Sequence, residues 1–242
     1  MSLKSEFEST GNWLFRYRSY LPFLILPLLF YTLLTPVAAE AQQILLIIGL
    51  TLAYFGECIR ICTIAYVPAG TSGRNTKQQF AITLNTKGIY STVRHPLYLG
   101  NFLIYLGLFI FTGNAYGILI FILIFWIYYE RIMYAEEAFL TVKFGNAYEE
   151  WSSKTPPFVP NIKLFTPQNS KFSLVKVLKS EYSGLCGIFA IFTIIVVFRN
   201  YSFNISPILS YNWKVLFIVN AILYISLRTF KKFSFNSKSL ND

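Results

Sequence analysis

Apolar positions along this chain come in six long blocks separated by polar stretches: residues 20–38, 43–66, 97–112, 115–135, 183–199 and 212–228. Each block approaches the ~20 residues that carry a helix across a bilayer, although some are short. Backbone groups in lipid must pair within their own segment, so the pattern predicts six helices. Thr112-Gly113-Asn114 is a turn signal that folds the third and fourth blocks into a tight hairpin. From Leu97 to Tyr129 this hairpin holds no charged residue, whereas the second block carries Glu57 and Arg60. Residues 171–181 (KFSLVKVLKSE) predict an amphipathic helix lying in the membrane interface, and the stretch around Trp13, Arg16 and Arg18 predicts another. The first block ends in Val37-Ala38-Ala39-Glu40-Ala41, a run resembling a signal-peptidase site. The long region before it, with Glu6, Glu8 and internal prolines, predicts instead that this span is retained.

Composition places these blocks in a membrane. The 242 residues are 55% hydrophobic, 19% aromatic and only 13% charged, against roughly 25% charged in soluble domains. Mean hydropathy is +0.49. The net charge of +10 is scattered through the polar loops and forms no single basic stripe, which argues against nucleic acid as a partner. Lys and Arg fill the N-terminus, residues 70–94, residues 138–181 and the tail, while the intervening loops hold almost none. The positive-inside rule then puts both termini and both long loops in the cytoplasm. The expected fold is an all-α polytopic transmembrane bundle of about six spans. It divides into an N-terminal segment (1–69), a central core (70–165) and a C-terminal interfacial helix with a transmembrane hairpin (166–242). Cys58 and Cys62 share a helix face, but with one histidine in the chain and none beside them no metal site is expected.

That one histidine, His95, stands at the edge of the third block, between Arg94 and Pro96. It precedes the hairpin by about as many residues as Glu136-Glu137 follow it. At ~1.5 Å per residue both ends reach similar depth. Arg94, His95, Glu130, Arg131, Glu136 and Glu137 therefore converge at one membrane–water boundary, where clustered charges of both signs beside an imidazole point to a functional site. No G-x-G occurs anywhere, which argues against a strand–glycine loop–helix nucleotide fold.

Several motifs in order carry a resemblance: Gly88 to Tyr90 (G-x-Y), Arg94 to Gly100 (R-H-P-x-Y-x-G), Glu136 to Leu140 (E-E-x-x-L), Phe144 to Tyr148 (F-G-x-x-Y) and Pro157 to Pro160 (P-x-x-P). Over residues 75–160 the chain resembles the isoprenylcysteine carboxyl methyltransferase and phospholipid methyltransferase superfamily. The resemblance implies S-adenosylmethionine as cofactor. The positions matching its binding residues are Asn75, Leu84, Asn85, Tyr90, His95, Tyr98 and Glu136. Glu136 suits the cofactor's ammonium, and His95 or Arg94 its carboxylate. Tyr90 and Tyr98 suit the adenosine or the sulfonium, and Gly100 admits a close neighbour, helix or cofactor. The acceptor is expected to be a membrane lipid or lipid-modified substrate. Arg131 would orient an acceptor carboxylate; for an amine acceptor Glu137 or Glu130 would take the proton. A nicotinamide-dependent reductase of related fold and a non-catalytic membrane protein are the alternatives.

Overall fold

The computed structural model describes residues 2–68, 79–207 and 209–236. Its helices are α1 (Leu3–Tyr17), α2 (Leu21–Leu33), α3 (Ala39–Tyr66), α4 (Pro96–Thr112), α5 (Ala115–Phe144), α6 (Asn146–Ser152), α7 (Leu174–Ser202) and α8 (Tyr211–Asn236). Among the described residues no strand forms; Gly88 and Thr166 make an isolated antiparallel bridge. Local chemistry sets several boundaries. Ser2, Asn114 and Ser173 each accept a backbone N–H three residues on, at the starts of α1, α5 and α7. Pro96 opens α4, where its missing N–H leaves nothing unpaired. Gly113 ends α4 in the left-handed conformation, φ +68°, and so makes the hairpin turn.

Among the described residues four helices are long and apolar enough to cross a membrane: α3, α5, α7 and α8 over Tyr211–Lys232. Of the six expected spans these four are matched, and the other two form shorter helices. The block 20–38 yields a helix of only 13 residues, because the chain leaves helical geometry after Leu33, ahead of Pro36. At ~1.5 Å per residue α2 is about 20 Å long and the 17-residue α4 about 26 Å, both short of a ~30 Å hydrocarbon core. The interfacial helix expected at 171–181 is instead the first part of α7, continuous with the span that follows. The fourth block extends as far as Phe144 and so carries both glutamates within α5. At the N-terminus, α1 packs along α5.

The closest pairing is α3 on α4. Glycines permit it: a Cβ on Gly56 would lie 2.5 Å from the Gly100 carbonyl oxygen, and one on Gly49 2.5 Å from that of Gly107. The α4–α5 hairpin is joined by aromatic rings. Phe109 stacks on Phe121 at 4.6 Å, Phe125 on Tyr129 at 4.2 Å, Tyr129 meets Tyr98 at 4.9 Å, and Tyr98 stacks on His95 at 5.6 Å. This column runs from the turn to the histidine, and such pairs add about 0.5–1.5 kcal/mol each beyond burial. At the turn end the guanidinium of the buried Arg199 donates to the carbonyls of Phe111 (2.8 Å), Thr112 (2.6 Å) and Thr35 (3.2 Å). A cation from α7 thus satisfies the open C-terminal carbonyls of α4.

Gly56→Ala is expected to destabilise the protein by about 1–3 kcal/mol, since the added methyl meets backbone rather than a side chain that can turn away. Gly187→Ala on α7, where nothing lies within 4 Å, is expected to be neutral or stabilising. Thermal unfolding in detergent compares the two; equal effects would remove the close-approach argument.

Candidate active site

His95 sits at the N-terminal end of α4, held there by its backbone. The N–H groups of Arg94 and His95 donate to the carbonyls of Pro156 (2.9 Å) and Pro157 (3.2 Å). Asn161 N–H donates to Thr92 O at 2.9 Å, and Thr166 N–H to Ser91 Oγ at 2.8 Å. The proline-rich strap 155–166 is thereby pinned along residues 88–95. Gly88, at φ +63°, gives the backbone its turn into this pairing. Trp151 on α6 donates its indole N–H to the Tyr90 carbonyl at 3.2 Å.

Against this fixed histidine α5 presents two consecutive glutamates. Neighbouring helical side chains diverge by about 100°, so the pair can flank an imidazole. His95 Nε2–H donates to Glu137 Oε1 at 2.9 Å, and Arg94 Nη1 donates to Glu137 Oε2 at 2.7 Å. On the other side Tyr98 donates its hydroxyl to Glu136 Oε2 at 2.9 Å, with His95 Nδ1 3.7 Å from the same oxygen. His95 is buried, while the side chains of Glu136 and Glu137 retain 32% and 25% of their exposure. Glu136 therefore has room for another partner. Burial, and after it the Glu136 charge, raises the Tyr90 phenol pKa; burial, then Glu137, does the same for Tyr148.

A cavity of about 640 Å³ opens beside these groups. Leu84, Asn85, Tyr90, Arg94, His95, Tyr98 and Glu136 line it, so seven of the residues singled out by sequence share one space. Four do not. Glu137 lies outside the lining, turned to Arg94 and His95. Arg131 points to α1, with Nη1 3.2 Å from Thr10 Oγ1 and its guanidinium 4.7 Å from the Phe7 ring centroid. Five residues separate Arg131 from Glu136, a rotation of roughly 140° that puts them on different faces of α5. Gly100 faces Arg60 and Gly56 of α3, so its close neighbour is a helix. Asn75 lies outside the described residues. Glu130 is exposed.

The cavity has a second polar wall that sequence reasoning missed. Arg60 donates from Nε (3.0 Å) and Nη2 (2.7 Å) to Glu181 Oε2, and from Nη1 to Asn101 Oδ1 at 2.6 Å. Glu57 Oε2 is 3.5 Å from Arg60 Nε, and Asn101 Nδ2 donates to the Tyr129 hydroxyl at 3.3 Å. Glu57 and Glu181 are buried. Charges inside the second apolar block were the available signal. Their partner was hidden, because Glu181 falls in the segment expected at the interface.

Residues 44–147 match the phospholipid methyltransferase family model. Curated relatives are named protein-S-isoprenylcysteine O-methyltransferase. The one from Schizosaccharomyces pombe is 40% identical over 79 residues, covering 33% of this chain and 34% of that protein. The one from Xenopus laevis is 32% identical over 142 residues, covering 55% and 49%. The one from Saccharomyces cerevisiae is 31% identical over 125 residues, covering 50% and 52%. The chain thus spans between a third and about half the length of these relatives. No solved structure matches it.

Arg60→Ala leaves two buried carboxylates around a vacated cation and is expected to cost about 3–5 kcal/mol of stability. Denaturant unfolding of the solubilised protein measures this. A cost below about 1 kcal/mol, the range of exposed pairs, would show that the network is not formed.

Proposed function

From the match of residues 44–147 to the phospholipid methyltransferase family model and the likeness to protein-S-isoprenylcysteine O-methyltransferases, we propose that this multi-pass membrane protein is a methyltransferase. It uses S-adenosylmethionine and acts from the cytoplasmic side on a lipid or lipid-modified acceptor. The observation that carries this reading is the flanking of His95 by Glu136 and Glu137 at the wall of one cavity. A donor of that kind brings an ammonium, a carboxylate and a heteroaromatic base. The lining fits all three: Glu136 with its side chain partly exposed, the Arg94 guanidinium and the His95 imidazole, and the rings of Tyr90, Tyr98 and Trp151. The volume falls in the range of small-molecule sites, ~300–1,000 Å³.

In this reading Glu136 receives the ammonium, and the Tyr98 hydroxyl fixes the rotamer in which it does so. Glu137 is a positioning residue: it holds the His95 ring and the Arg94 guanidinium, whose remaining N–H groups are available to the cofactor carboxylate. The bound group supplies an electrophilic methyl. The chain supplies alignment with the acceptor in a site bounded by aromatic side chains, and alignment is the main source of rate for such a displacement. Leu84 and Asn85, close to the strap-bound segment, complete the wall. Arg131, directed at α1, has no part in this scheme.

Glu136→Ala is expected to weaken S-adenosylmethionine binding by about tenfold or more with the fold retained, as its carboxylate is partly exposed. Calorimetric titration of the solubilised protein reads the affinity, with NADPH as a second ligand. Undiminished affinity in the mutant would overturn the assignment, and NADPH binding in place of S-adenosylmethionine would favour a reductase. Methyl-labelled donor added to membranes then reports the acceptor: label released by base as methanol marks a carboxyl ester, base-stable label an N-methyl group.

A further inference from the structure

We propose that the start of α7 and the end of α8 together form a binding site for an anionic phospholipid. Lysines and an arginine from both helices hold its phosphate, and its acyl chains lie along the exposed apolar side chains beside them. The site is on the outside of the bundle, beyond the segment 44–147 that the family model matches, and it does not depend on the methyltransferase reading.

These cations are scattered in the sequence, and antiparallel packing collects them. Lys171 stands just before α7, with Lys176 and Lys179 in its first turns; Arg228, Lys231 and Lys232 stand in the last turns of α8. Three contacts fix the two helices side by side in opposite directions. Tyr182 meets Tyr224 at 5.6 Å, Asn220 Nδ2 donates to the Cys186 carbonyl at 3.1 Å, and Phe189 stacks on Trp213 at 5.1 Å. Lys231 Nζ lies 5.3 Å from the Tyr182 ring centroid, so the cations of α8 reach α7. Lys179 precedes Tyr182 by three residues and shares its helix face; Arg228, Lys231 and Lys232, at i, i+3 and i+4, share one face of α8. Two runs of like charge thus border one seam. Ser173 N–H donates to the Ala65 carbonyl at the end of α3 (3.2 Å), which puts the seam at the same end of the bundle as His95.

Three features point to a lipid anion there. Residues 171–182 and 224–236 contain one acid, Glu181, which is buried and accepts from Arg60 of α3. Cations gathered beside hydrocarbon repel one another, and a bound anion offsets that cost. Secondly, the opposite end of the same helix pair, residues 203–214, has Lys214 alone, so positive charge is not a general property of these two helices. Thirdly, large apolar side chains stand exposed among the cations: Leu174 and Val175 on α7, Ile225 and Phe230 on α8. A soluble anion has nothing to lay against them. A phospholipid brings a phosphate for the cations and hydrocarbon for these side chains. The site also bears on the cavity, since α7 carries Lys176 and Glu181 into its lining.

The test titrates the full-length protein in neutral detergent with phosphatidylglycerol and with phosphatidylcholine of the same chains, and reads the lipid-bound states by native mass spectrometry. Wild type is expected to bind the first phosphatidylglycerol at least about tenfold more tightly than phosphatidylcholine. Removing the cations of α8 together, by Arg228→Gln, Lys231→Gln and Lys232→Gln, should bring the two affinities within about twofold of each other. Lys4→Gln, Lys154→Gln and Lys163→Gln together remove the same charge away from the seam and should leave the preference intact. No preference in wild type, an unchanged preference in the α8 variant, or an equal loss in the control variant overturns the proposal. Inorganic phosphate in large excess should not displace the lipid; displacement would mark a site for a soluble anion and overturn the lipid assignment. Lys171→Gln with Lys179→Gln supplies the same comparison from α7 if the α8 variant does not fold.

Discussion

A charge surrounded by hydrocarbon has to be matched within the protein, since no water is at hand to solvate it. That constraint joins the helices of this molecule at both ends of the bundle. Arg199 at the turn end draws the carbonyls of α4 and of the chain after α2 onto α7. At the other end Arg60 ties α3 to α7 through Glu181 and to α4 through Asn101. Apolar packing alone leaves such helices free to slide, because lipid tails are as apolar as leucine. The buried guanidiniums, together with glycine contacts that bring α3 backbone against α4 backbone, fix their register.

The same constraint shapes the cavity. Two polar clusters face it, and they differ in exposure. Around His95 the imidazole and the Arg94 guanidinium meet two carboxylates at the partly exposed end, with Glu137 consumed by internal contacts and Glu136 left accessible. Around Arg60 the carboxylates are buried. Between them the rings of Tyr98 and Tyr129 continue the aromatic column of the α4–α5 hairpin, so the site is an extension of the core rather than a loop laid over it.

The strap 155–166 shows how an irregular segment becomes rigid. Its prolines lack N–H donors, but their carbonyls are free to accept. Those of Pro156 and Pro157 take the N–H groups of Arg94 and His95, which precede the first turn of α4 and have no helical acceptor. The imidazole is thus set by backbone pairing before any side chain is considered.

By itself the sequence determined the membrane class, the α4–α5 hairpin and, of the six charged or titratable groups expected to converge, the meeting of Arg94, His95, Glu136 and Glu137, because hydropathy blocks and the 1.5 Å helical rise are local properties that need no knowledge of neighbours. Its first apolar block is longer than the helix it forms, since a hydropathy window passes through Pro36 while the helix stops at Leu33. It also divided α7 in two: amphipathic composition at 174–181 mimics an interfacial helix when the buried partner Arg60 lies far away in the chain. Only the tertiary structure decided that Arg131 turns to α1, that Glu137 faces inward to Arg94 and His95, that Gly100 serves α3, and that Glu181 reaches the cavity. Each depends on which face of one helix meets which face of another, and periodicity within a single segment carries no information about that.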